Sequence, residues 1–92
     1  MTVFMVERDL KGVSLEALGQ AQAAAIQKAR ELTEAGVQVR YLRSTFAPDD
    51  GRCMCLVEAT DQAAVRRMND EAGLPYHRIV EALDLAAPEA ER

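Results

Sequence analysis

The chain has 92 residues, 49% of them hydrophobic, with a net charge of −4 and two cysteines. A chain of this length closes one small core, burying about 60–65% of its unfolded surface, so self-association would add stability. No apolar stretch approaches the roughly 20 residues of a bilayer span, and an acidic balance without a basic block leaves no footprint for nucleic acid.

The opening MTVFMVERDL reaches charged residues too early for a signal-peptide apolar region. A cytoplasmic protein with free thiols is therefore expected. VFMVERDL (3–10) alternates and is rich in β-formers, which predicts a strand. KGVS is turn chemistry, with Ser14 placed to cap a helix and Glu16 in its first turn. From Leu15 to Ala35, Leu18, Ala21, Ala25, Ala29 and Leu32 recur at helical spacing, and Gly36 suits a left-handed cap. VQVRYLRSTF (37–46) predicts a second strand, APDDG a turn, and RCMCLVEA (52–59) a third strand paired with the second as a hairpin. Thr60 or Asp61 begins a second helix with Val65, Met68 and Ala72 on its buried stripe; Gly73 ends it and Pro75 prevents its restart. HRIVEALDL (77–85) predicts the fourth strand. The reading is a domain over 1–85 and a polar C-terminal tail over 86–92.

The order β-α-β-β-α-β is that of a ferredoxin-like α+β fold: a four-stranded antiparallel sheet with two helices on one face, of the dimeric α/β-barrel type. Alternation divides each strand into two sets. The sets expected beneath the helices are Phe4 and Val6, Leu42 and Phe46, Met54 and Leu56, and Val80 and Ala82. Val3, Met5, Glu7, Val39, Tyr41, Arg43, Thr45, Cys53, Cys55, Val57, Ile79, Glu81 and Leu83 are then expected on the open face. So apolar a face predicts a homodimer in which each sheet covers the other.

The blocks FMVERDL-KGVS, VRYLRSTF, MCLVEATDQAAVRRMNDEAGLP and HRIVEALDL resemble, in order and spacing, the small DUF4242 proteins, the SCO-type nickel-binding-protein-like family. The resemblance covers roughly residues 3–85 and is most specific at V-E-R-D (Val6–Asp9), C-L-V-E-A (Cys55–Ala59) and A-G-L-P (Ala72–Pro75). It implies a ferredoxin-like fold, dimerisation through the sheets and, for some members, nickel binding, with no assigned enzymatic activity. In that family's pattern the position of Arg43 is often histidine, the imidazole that nickel favours; arginine cannot ligate.

Cys53 and Cys55 are read chiefly as packing residues of a strand, since a closed zinc site wants four ligands and no Cys-x-x-Cys pair occurs. Cys55 is the one with a candidate role in a soft-metal or redox site. Glu7, Glu81 and Arg43 read first as an interfacial charge cluster, Arg43 neutralising the carboxylates. In a mainly apolar cavity, Glu7 would instead act as general base, with Tyr41 and Arg43 positioning an anionic or carbonyl group. His77 reads as a strand-start residue, and Glu58 as a helix-side partner of Arg66 or Arg67. The expected function is thus a small homodimeric binding protein for a divalent metal such as nickel, or for a small ligand, at the sheet–sheet cavity, with Glu7, Cys55, His77 and Glu81 as metal ligands. The alternative is a cofactor-independent oxygenase, isomerase or cyclase using Glu7, Tyr41 and Arg43 at that cavity. Dimerisation as the function in itself is a third reading.

Overall fold

A computed structural model of the chain describes residues 1–87. Most of the predicted tail therefore lies outside the described residues. Six elements follow in order: β1 (Thr2–Asp9), α1 (Leu15–Glu34), β2 (Val39–Ala47), β3 (Arg52–Ala59), α2 (Gln62–Ala72) and β4 (Arg78–Ala82). The strands form one antiparallel sheet in the order β2-β3-β1-β4. This is the expected ferredoxin-like arrangement, with α1 packed over β2 and α2 over β3 and β4.

Local chemistry sets the helix ends. The Ser14 hydroxyl accepts from the Ala17 N–H at 3.1 Å, and the Asp61 carboxylate accepts from the Ala64 N–H at 2.9 Å, each satisfying a donor that the first turn leaves free. Gly73 closes α2 at φ 70°, a left-handed conformation that strains any residue with a Cβ. Gly51, also at positive φ, ends the β2–β3 turn against the Lys11 backbone, where a Cβ would collide. Its carbonyl accepts from the Leu10 N–H at 2.6 Å.

The core lies between the sheet and the helices. Phe4 and Val6 supply it from β1, Ala25, Ala29 and Leu32 from α1, and Ala64, Val65 and Met68 from α2. The first strand divides as expected. The third and fourth are reversed: Cys53, Cys55, Val57 and Ile79 are buried beneath the helices, while Met54, Leu56, Val80 and Ala82 are half-buried on the open face. Cross-strand register enforces the exchange, because Val57 and Cys55 stand opposite Phe4 and Val6, and Ile79 stands opposite Val6. Small and β-branched side chains fit where alanine-faced helices approach closely, and the longer Met54 and Leu56 take the roomier side.

In β2 a bulge between Tyr41 and Arg43 splits the strand. Val39 and Tyr41 pair with Ala59 and Val57 and so face the helices, as do Ser44 and Phe46 beyond the bulge; Arg43 and Thr45 face the open side. Leu42, expected beneath the helices, is the extra residue and borders the open face beside Val3 and Ala82.

Met68 is fully buried, so Met68→Ala is expected to lower the unfolding free energy by about 2–5 kcal/mol in urea titration. Burial, with the neighbouring Cys55 adding to it, pushes the Cys53 thiol from 9.0 up to about 11. The folded chain then keeps a proton that the unfolded chain releases first. This contribution is whole below pH 9 and is lost as pH rises towards 11. Comparing Cys53→Ala with the parent over that range should show a flatter decline; parallel curves would contradict this account.

Candidate functional site

Alternation along β1 sends neighbours to opposite faces, so Glu7 and Arg8 lie on different sides of the sheet. Arg8 continues the helix-side set of Phe4 and Val6 and is only 5% exposed. Its Nη1 donates to Asn69 Oδ1 at 2.8 Å and to the Pro75 carbonyl at 3.2 Å. Its Nη2 donates to Cys55 Sγ at 3.4 Å. Asn69 is held in turn by its Nδ2 donating to the Val65 carbonyl at 2.8 Å.

The Cys55 sulfur also accepts from the Ser44 hydroxyl at 2.9 Å. Since that hydroxyl proton is spent on sulfur, the Tyr41 hydroxyl donates to Ser44. Gln22 Nε2 donates to Tyr41 Oη at 3.1 Å. A continuous hydrogen-bonded row thus runs from exposed Gln22 on α1 to fully buried Asn69 on α2. The bulge makes this row: it puts Tyr41 and Ser44, three residues apart, on one face. Beside the row is a cavity of about 240 Å³ beneath α1, bordered by Arg8, Tyr41, Ser44 and both cysteines and walled by Leu18, Ala21 and Phe46. The two thiols are free, their sulfurs 3.9 Å apart.

On the open face, β4 sets Arg78 opposite Glu7. Arg78 Nε donates to Glu7 Oε2 at 2.5 Å, and His77 Nε2 lies 4.0 Å from Oε1. The His77 N–H donates to the Glu7 carbonyl at 2.9 Å, fixing the backbone of this pair. Arg43 Nη1 meets Asp84 Oδ2 at 2.5 Å. Since β2 and β4 are opposite edges of the sheet, the chain after β4 returns across one end of the open face to make that bond. Glu58, expected on the helix side, is on the open face and pairs with Arg40 at 3.1 Å.

Of the expected metal ligands, the structure brings Glu7 and His77 together. Cys55 is beneath the helices behind the sheet, and exposed Glu81 stands opposite Phe4, further along β4. Among the described residues, no group of three or more His, Cys, Asp or Glu side chains is placed to hold a metal ion. Glu7, Tyr41 and Arg43 do not share a site either. Glu7 and Arg43 are on the open face with β3 between their strands, and Tyr41 faces the helices. Arg43 neutralises Asp84 rather than Glu7 or Glu81. Arg8 is the site residue that sequence reasoning missed. The alternation Phe4, Val6, Arg8 already placed it beneath the helices, where a charge demands an explanation.

No curated protein matches the chain. The crystal structure of SCO4226 from Streptomyces coelicolor A3(2) is similar to it, with a TM-score of 0.73 and 27% sequence identity, covering 92% of this chain and 99% of that one. The family model described as nickel responsive protein SCO4226-like matches residues 4–82. With nearly all of the β-α-β-β-α-β unit inside that match, the chain belongs to the SCO4226-like family of nickel-responsive proteins.

Proposed function

We propose that the protein is a homodimeric divalent-metal-binding protein whose open sheet face carries Glu7 and His77 as half of a metal site. The observation that carries this reading is the approach of His77 Nε2 to Glu7 Oε1, 4.0 Å apart. Imidazole with carboxylate is a donor set that suits nickel, and the family's description as nickel-responsive supports that choice. Arg78 holds Oε2 and leaves Oε1 turned to the imidazole. His77 is 60% exposed in its side chain, so a hydrated ion can reach it.

Two donors alone make an incomplete site. Since no third His, Cys, Asp or Glu joins them among the described residues, the remaining positions fall to water or to a second copy of the chain. The open face favours the second copy. Val3, Met5, Met54, Leu56, Val80 and Ala82 give it a half-buried apolar centre that no helix covers. Packing two such faces together would remove that surface from water.

Native mass spectrometry of the untagged protein, before and after nickel addition and dialysis, tests both parts. The parent is expected as a dimer retaining nickel. Glu7→Gln and His77→Ala should each weaken retention by about tenfold or more, and Cys55→Ala should leave it intact. Loss in Cys55→Ala with retention in His77→Ala would reverse the assignment of the face. Leu56→Lys and Val80→Lys place a charge in the centre of the open face without touching the helix-side core. Each is expected to give a folded monomer by size exclusion with circular dichroism; a persistent dimer would place the interface elsewhere.

A further inference from the structure

We propose that the cavity beneath α1 binds a small organic carboxylate, with Arg8 as its counter-charge. The site is separate from the Glu7–His77 pair and lies on the other side of the sheet. Arg8 is a permanent cation, 5% exposed. Its acceptors are an amide oxygen, a backbone carbonyl and a sulfur. Among the described residues no carboxylate lies within ion-pair reach of it; every ion pair found involves other cations. Cys53 does not balance the charge, because burial keeps its thiol protonated up to about 11. Taking an ion out of water costs several kcal/mol unless an opposite charge offsets it.

The donors that remain are the right ones. Arginine has five N–H groups, and three are used. One on Nε and one on Nη2 are left, on the two nitrogens that a carboxylate engages side-on. Among the described residues no fully buried side-chain nitrogen lacks a partner. The unbonded Nε–H is therefore not sealed in the core, and Arg8 borders the cavity.

The two hydroxyls there have their protons committed. Gln22 donates to Tyr41, Tyr41 to Ser44 and Ser44 to Cys55. Gln22 keeps a second amide N–H at its exposed end, so Arg8 holds the charged donors that border the cavity. The rest of the lining, with Leu10, Leu18, Ala21, Phe46 and Leu74, is apolar. A single cation in a mainly apolar lining selects a monoanion with a hydrocarbon body over a phosphate or a polar acid. An apolar cavity of roughly 150 Å³ holds benzene, so the 240 Å³ here admits a molecule of about ten non-hydrogen atoms or fewer.

Benzoate is the probe, benzamide its neutral isostere, and sodium chloride at equal ionic strength the control for screening. Benzoate is expected to raise Tm with saturation and to shift the amide resonances of Ser44, Cys55 and Leu74; benzamide at the same concentrations should do neither. Ala21→Phe fills the chamber without altering a charge and should abolish the response while folding normally. Arg8→Gln, if folded, should respond equally little to both compounds. Glu7→Gln and His77→Ala should keep the benzoate response, which separates this site from the metal half-site. Absence of a benzoate response, an equal response to benzamide, or a response that survives Ala21→Phe would overturn the proposal.

Discussion

The buried guanidinium of Arg8 is the tie on which the helix side depends. From β1 it reaches the last turns of α2 through Asn69, the α2–β4 connection through Pro75 and β3 through Cys55. Hydrogen bonds from a charged donor contribute about 1.5–3 kcal/mol each, and together they offset much of the desolvation that burying an ion entails. They spread the charge over dipoles and do not cancel it. The tie therefore does two things at once: it locks the position of three elements, and it leaves a positive potential at the edge of a cavity.

The sheet keeps two kinds of chemistry apart. Glu7 and Arg8 are adjacent in sequence, yet the pleat turns one to the open face and the other beneath the helices. On the open side, Glu7 collects Arg78 and His77 at one end, while Arg43 and Asp84 close the other. Between them the surface is apolar. On the helix side, two thiols, a hydroxyl row and a lone cation sit in a small core. One layer of sheet thus separates the Glu7–His77 pair from the cavity that Arg8 borders.

The bulge in β2 is the small irregularity with the largest effect on the site. A regular strand would have put Tyr41 and Arg43 on the same face. One extra residue instead joins Tyr41 to Ser44, and through Ser44 to Cys55 and Arg8. The same step sends Arg43 to the open face and into its bond with Asp84.

The sequence by itself determined the elements and their order. Caps, stop signals and periodicity are local, as Ser14, Asp61, Gly73 and Pro75 show, and they act whatever surrounds them. Much of the core was legible too, from Phe4 and Val6 to Val65 and Met68. RCMCLVEA and RIVEA were not, since both of their phases carry apolar side chains. A period of two has two phases, and only pairing with β1 and the close approach of the helices selects between them. Tertiary structure alone therefore decided that Cys53 and Cys55 lie inside and Met54 and Leu56 on the open face. It decided likewise that Arg8, unremarkable in the sequence, is a buried cation bordering a cavity.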